Sequence, residues 1–230
     1  MTRTQLVVSC EHATNFVPRE YRPLFRAEHA RLESHLAWDP GAVVVARRAA
    51  EELGAPLYEG EATRLLVDLN RSLHHRSLFS RFTSVLGGDA KRKIIDRYYV
   101  PYRRSVEDTI RERTRRNRFV LHASIHSFTP VLDGKERHGD LCFLYDPSRN
   151  HEVTIVRRWI HEIQTRRPSL RLRRNYPYRG VADGLTTHFR RLFPDNRYAG
   201  VEIEINQALL DALPVDEIIS CLKMSVAART

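Results

Sequence analysis

Two histidines each close an apolar run. Gln5–Cys10 (Gln-Leu-Val-Val-Ser-Cys) leads into Glu11 and His12, and the stretch 118–130, Arg-Phe-Val-Leu-His-Ala-Ser-Ile-His-Ser-Phe-Thr-Pro, carries His126 and Ser127 near its end. Short apolar, β-branched runs read as buried strands, and Pro130 stops the second. A histidine at the C-terminal tip of a central strand stands where open α/β sheets place their chemistry. A third strand is expected over 64–68, leading into Asn70 and Arg71. A fourth, over 199–205, carries Glu202 and Glu204 in one phase, so both point to the same face. Two histidines and a carboxylate are the usual three protein ligands of a catalytic zinc, which leaves the fourth position to water. A further glutamate suits removal of that water's proton, and an arginine suits an anionic substrate or developing oxyanion. A lone histidine is more often a satisfied core residue; the set carries the weight.

The elements that must position these groups follow from the pattern between them. Asp39-Pro40 reads as an N-cap with proline at the first helical position. The helix that follows shows Ala42, Ala46, Ala49, Ala50 and Leu53 on one face and ends at Gly54. The segment 72–88 reads as a mobile loop over the sheet edge. Asp89 is the expected cap of a helix reaching about Asn117, interrupted or restarted at Pro101. A strand is expected over 141–145, a helix over 152–165 with Ile155, Val156, Trp159, Ile160 and Ile163 inward, and an edge strand over 170–173. A short helix over 183–193 and a C-terminal amphipathic helix from Val215, with Ile218, Ile219, Leu222 and Val226, complete the reading. Alternating strands and helices, with no internal repeat or linker, predict one α/β domain over 1–230.

Composition narrows the classes. Hydrophobic residues make up 42%, which suits a globular chain with a full core. No apolar run approaches the ~18 residues of a membrane span, and the N-terminus lacks the apolar core of a signal peptide. Cys10, Cys142 and Cys221 form neither a zinc knuckle nor a disulfide framework, so a reducing cytoplasm is expected. The net charge is +10, nearly all of the cations being arginine, since lysine stands only at 91, 93, 135 and 223. A polyanion such as RNA is the rival partner this charge raises. Yet the densest run, 111–118, ends a helical segment where cations suit the dipole. No aromatic residues interleave with it as a stacking platform. Arginine as a solvating surface is the favoured reading.

Four blocks carry a family resemblance: Ser-Cys-Glu-His-Ala-Thr-Asn-Phe-Val-Pro over 9–18, Arg-Leu-Leu-Val-Asp-Leu-Asn-Arg over 64–71, Ile-His-Ser-Phe-Thr-Pro over 125–130 and Val-Glu-Ile-Glu-Ile-Asn-Gln over 201–207. In this order they resemble the N-formylglutamate amidohydrolase family and, more remotely, the zinc carboxypeptidase and aspartoacylase superfamily. The resemblance implies a three-layer, phosphorylase/hydrolase-like α/β fold with a mixed central sheet flanked by helices. It implies zinc, one ion per chain, although the ligand types also admit other divalent metals. The implied reaction is hydrolysis of the amide of a small anionic N-formyl or N-acyl amino acid, such as N-formylglutamate, by metal-activated water.

Residue by residue, the resemblance places His12 and His126 as metal ligands and Glu204 as general base. Asn70 and Arg71 match the pair that grips the substrate carboxylate, with Arg64 as a third anion contact; apart from the resemblance, Tyr178, beside Arg179-Gly180, reads as a residue lining the pocket. The superfamily's His-x-x-Glu is broken here, because Asn15 stands three residues after His12. The third ligand is therefore Asp39, where an acidic residue recurs in the family, or Glu11, which should point to the opposite face; Asp39 as a plain N-cap stays open beside both. Glu202 competes with Glu204 for the base role, and the motif favours Glu204. Asp68 reads as an orienter of His12 or Arg71, and His188 as an ordinary half-buried helix residue. Ser127 lacks a nucleophile elbow, Cys10 packs as a small hydrophobe, and His74, His75, His138, His151 and His161 read as surface residues. An amidase for other N-acyl amino acids or short acidic peptides is the second enzymatic reading.

Overall fold

The computed structural model describes residues 4–212 together with Asp216 and Ile219. Along the chain come β1 (Gln5–Cys10), a 3-10 turn (Arg19–Phe25), α1 (His29–Leu32), α2 (Ala42–Leu53) and β2 (Leu57–Glu59). Next are α3 (Gly88–Ile94), a π-helical turn (Ile95–Tyr99), α4 (Val100–Arg115), β3 (Val120–Phe128) and the hairpin strands β4 (Val131–Leu132) and β5 (Lys135–Glu136). β6 (Leu141–Leu144), α5 (Asn150–Arg166), β7 (Leu172–Arg174), α6 (Leu185–Leu192), β8 (Tyr198–Asn206) and α7 (Gln207–Ala212) follow. The C-terminal helix expected from Val215, and Cys221, lie outside the described residues apart from Asp216 and Ile219. No helix among the described residues is long and apolar enough to cross a membrane.

Six strands form one sheet in the order β2-β1-β3-β8-β6-β7. β1 is parallel to β2 and β3, β3 to β8 and β6 to β7, whereas β6 runs antiparallel to β8. The sheet is therefore mixed, as the family resemblance implied. Strand alternation sorts its two faces. Leu6, Val8 and Cys10 of β1, Leu121, Ala123 and Ile125 of β3, and Ala199, Val201, Ile203 and Ile205 of β8 pack with α2 and α5. On the other face Val7, Val120 and Tyr198 pack with Val106 and Ile110 of α4 and with Leu185 and Phe189 of α6. Helices cover both faces, which makes three layers. That second face turns polar toward the C-terminal ends of the strands, at Ser124, His126, Glu202 and Glu204.

Sequence order places the crevice. After β1 the chain crosses through α2 to β2 on one side, and through α4 it returns to β3 on the other. The strand order thus reverses between β1 and β3, and ligands of open α/β sheets bind beyond the carboxyl ends at such a reversal. His12 and His126 flank this point.

Several expectations are corrected. Residues 64–68 form turns and not a strand: the Arg64 amide donates to the Ala37 carbonyl and the Leu66 amide to that of Thr63. Leu66, Val67 and Leu69 bury themselves against Leu78, Ile94 and Tyr99 in a cluster of their own. A short apolar run carries no signal separating these cases. The strand beside β1 is β2, three half-buried residues that offered little pattern. Asp39 does not cap α2, which begins at Ala42 behind Gly41 at φ +78, a conformation that suits glycine. Asp89 does not cap α3 either; Gly87 does, and Asp89 lies in the first turn. In the segment 72–88, expected to be a mobile loop, the chain runs through a series of turns with Leu78 and Thr83 buried, and Gly88 already opens α3. Ser80 and Thr83 pin it by donating to the carbonyls of Leu65 and Leu66. Pro101 falls in the first turn of α4, just after the π turn in which the Val100 amide reaches the Ile95 carbonyl. Widening the turn there accommodates a residue with no amide proton and a ring that would clash one turn back.

Gly60 sets how closely β2 approaches the end of β1. Its amide donates to the Cys10 carbonyl at 2.9 Å, and a Cβ added there would lie 2.2 Å from the Glu11 carbonyl oxygen. Gly60→Ala is expected to cost about 1–3 kcal/mol, read as a lowered urea midpoint with an unchanged slope.

Candidate active site

The parallel register of β3 and β8 sets His126 beside Glu204 and Ser124 beside Glu202. All four share the polar face, because strand phase is period two. His12 lies two residues beyond β1, and its carbonyl accepts the Asp39 amide at 3.0 Å, which ties the 37–39 loop to the same edge.

Around Asp39 the imidazoles converge. Oδ2 of Asp39 lies 2.8 Å from Nδ1 of His126 and 3.2 Å from Nδ1 of His12. The rings stand 5.0 Å apart at an interplanar angle of 61°. The outer nitrogens are held by two other carboxylates: Nε2 of His12 by Asp68 at 2.8 Å, and Nε2 of His126 by Glu11 at 2.9 Å. Arg64 pairs with Asp68 at 2.8 Å and faces Asp39 at 3.6 Å. All of these except Arg64 are nearly inaccessible to solvent.

Ligand atoms of His12, Asp39 and His126 lie within 4.8 Å of one another, the one such group among the described residues. Two imidazole nitrogens and a carboxylate oxygen, with each outer nitrogen bonded to a carboxylate, fit a divalent metal such as zinc. Burial works against protonation of both histidines, but the carboxylates raise His126 well above its ordinary range and His12 above its own. Burial likewise opposes ionisation of Asp39, and the two histidines hold it far below the usual carboxylate range.

Glu204 stands apart from this pairing. Its Oε2 is buried with no hydrogen-bond partner. Burial pushes its carboxyl up to about 7, with His126 opposing the rise and Asp39 and Glu202 adding to it. The competing Glu202 is occupied: Thr186 donates to its Oε1 at 2.6 Å.

His12, Asp39, Arg64, His126, Glu202 and Glu204 line one cleft of about 190 Å³, with Asn70, Arg71, Tyr178, Arg137 and Arg179 on its walls. Asn70 Oδ1 accepts the Leu185 amide at the start of α6, and Arg71 donates to the Asp183 carbonyl at 2.8 Å. Tyr178 is half exposed at the mouth. Asn15 lies away from the cleft lining, and Ser127 lines it while donating to the Pro40 carbonyl. His188 is a partly exposed residue of α6, 3.9 Å from Glu107, and His151 bonds Asp195 at 2.9 Å.

Sequence reasoning missed three contributors. Arg137, carried past the β4–β5 hairpin, stacks on Phe128 and Tyr178 at 5.8 and 5.4 Å, and Arg179 and His35 also face the cleft; nothing in their local pattern marks them. His122 and Ser124 did carry a signal, being polar at the same period-two phase as His126.

The family model of N-formylglutamate amidohydrolase matches residues 4–210. The chain belongs to that family. A crystal structure of a gene product from Agrobacterium tumefaciens is 30% identical, with a TM-score of 0.80, over 98% of this chain and 90% of that one. The crystal structure of N-formylglutamate amidohydrolase from Ralstonia eutropha is 16% identical, with a TM-score of 0.70, over 98% and 92% of the two chains. That second likeness speaks for the fold alone. No curated protein matches the chain. Family membership makes this a hydrolase acting on amides, and the cleft gathers the motif residues His12, Asn70, Arg71, His126 and Glu204.

The raised carboxyl of Glu204 has a consequence for stability. Unfolded, the group ionises near its ordinary value of 4.5; folded, it holds its proton to about 7. Ionisation therefore costs stability as pH rises through 7 and costs nothing well below 4.5. In chelator-treated protein, Glu204→Gln is expected to gain on the order of 3 kcal/mol at pH 8, with the gain shrinking toward pH 5. Paired urea titrations at the two pH values measure it.

Proposed function

We propose that the protein is a zinc-dependent hydrolase that cleaves the amide of an N-formyl or N-acyl amino acid, N-formylglutamate being the type substrate. The observation that carries this reading is the unpartnered carboxylate oxygen of Glu204, buried in the cleft beside the converging Nδ1 atoms of His12 and His126. In this reading His12, Asp39 and His126 hold one zinc per chain. When bound, such an ion supplies Lewis acidity, lowering the pKa of water and polarising a carbonyl.

The chain's own residues do the rest. Glu204 takes the proton of the attacking water and delivers it to the leaving amine. A carboxyl near 7 can both accept and donate at neutral pH. Arg71 holds the carboxylate of the amino-acid half; Asn70 fixes Arg71's wall of the cleft through its bond to the α6 amide. Arg64 works through Asp39 and Asp68, whose oxygens take up its guanidinium. Tyr178, Arg137 and Arg179 add donors and positive charge toward the mouth, which suits a small acidic substrate. The products of N-formylglutamate would be formate and glutamate. Two buried free thiols, Cys10 and Cys142, accord with a reducing cytoplasm.

The reading is tested by zinc content and formate release from N-formyl amino acids. Glu204→Gln is expected to retain about one zinc per chain and to lose 10²-fold or more of kcat, on the order of a general base's contribution. A Gln variant with undiminished turnover would remove Glu204 from the mechanism. Asp68→Asn is expected to weaken zinc binding by about 10–100-fold, measured by competition with a chromophoric chelator; unchanged affinity would mean that His12 needs no such support.

A further inference from the structure

Four arginines line the cleft, and their guanidinium groups are held differently. That of Arg64 is taken by Asp68 and Asp39. That of Arg71 is fixed on the α6 side by the Asp183 carbonyl at 2.8 Å. Arg137 and Arg179 form no ion pair among the described residues. Arg179 is exposed, with no hydrogen bond to its guanidinium among those residues. A cation free to swing at the mouth steers anions without reading their shape.

Arg137 is clamped instead. It is half-buried, and its guanidinium lies 5.8 Å from the ring of Phe128 and 5.4 Å from that of Tyr178, within cation–π range. Its Nη1 donates to the Tyr178 hydroxyl at 3.4 Å. The backbone around it is stapled as well. The Arg137 amide donates to the Pro130 carbonyl at 2.8 Å, just past β3. The His138 amide donates to the Tyr176 hydroxyl at 3.0 Å, and Arg173 donates to the His138 carbonyl at 3.1 Å. A half-buried cation without a carboxylate costs stability until an anion meets it. A planar fork held against two rings is shaped to receive a carboxylate. Phe128 and Leu132 line the cleft beside it, an apolar wall that suits methylene groups. Arg71 belongs to a different wall, where the 63–71 turns meet the segment leading into α6.

We propose that Arg137 is the specificity-determining residue for a second carboxylate, on the substrate's side chain, with Arg71 left to hold the one on the α-carbon. The cleft then takes dicarboxylic N-acyl amino acids in preference to neutral ones of the same shape. This selectivity deepens, and rests on, the hydrolase reading above.

N-formylglutamate and N-formylglutamine differ in that one group and hardly in shape, so the ratio of their kcat/KM values isolates it. Zinc-loaded wild-type protein is expected to favour N-formylglutamate. Arg137→Gln is expected to lower the ratio about 10²-fold, the worth of a charged, hydrogen-bonded pair, a shift that general damage to the fold would not produce. Arg137→Lys keeps the charge but loses the fork, and is expected to recover part of the ratio. Arg71→Gln is expected to depress both substrates together. An unchanged ratio in Arg137→Gln, or a ratio that falls in Arg71→Gln or Arg179→Gln instead, would overturn the proposal. Should the wild-type protein release formate from neither compound, the hydrolase reading falls, and both are then measured as ligands by calorimetry. Tighter binding of N-formylglutamate that Arg137→Gln abolishes upholds the role of Arg137; equal binding, or none, overturns it.

Discussion

The structure depends on two imidazoles aiming their Nδ1 atoms at one carboxylate oxygen while two other carboxylates hold their far nitrogens. Three buried acids, Asp39, Asp68 and Glu11, meet His12, His126 and Arg64 in one small volume. Uncompensated charge of this density would be strongly destabilising in a protein interior. It persists because each oxygen faces a cation or a donor. A divalent ion among the Nδ1 atoms and Asp39 would replace protons on the rings, so its binding and the local pKa values are linked. Removing one partner would leave another charge without compensation, so this cluster ties stability to function.

Fold and site are joined through strand phase. One face of β3 and β8 is aliphatic and packs under α2 and α5, and the opposite face turns from Tyr198 and Val120 to Glu202, Glu204 and His126 along the strand. The same alternation that builds the core thus delivers the acid and the imidazole to adjacent positions. Loops add what strands cannot. The 37–39 segment brings Asp39 back to His12, and the turns at 63–71 bring Arg64, Asp68 and Arg71, anchored from the far side by Ser80 and Thr83. The sheet supplies His126 and Glu204 to the cleft, and loops held against it supply His12, Asp39, Asn70 and Arg71.

Much of this was legible in the chain. His126 and Glu204 were readable because period two at a strand end is a strong pattern, and the sheet's mixed, helix-flanked form followed from the family blocks. Asn70 and Arg71 were readable as residues but not in their setting, since Leu-Leu-Val satisfies a turn cluster as well as it does a strand. Asp39 looked equally like a helix cap, because a local motif cannot report that Gly41 takes over that place. Glu11 was expected to point to the opposite face from His12; its Oε2 lies 2.9 Å from Nε2 of His126, and it does not line the cleft. Arg137 and Arg179 could not be found, because only the folding of the hairpin and of the β7–α6 connection carries them to the cleft.

The central claim is that His12, Asp39 and His126 share one cation. X-ray absorption at the zinc edge of the dialysed, zinc-loaded protein tests it most directly. The account predicts two imidazole shells and light-atom neighbours at about 2.0–2.2 Å, with no sulfur at about 2.3 Å. Sulfur neighbours, a shell without imidazole scattering, or loss of the ion on dialysis would contradict it.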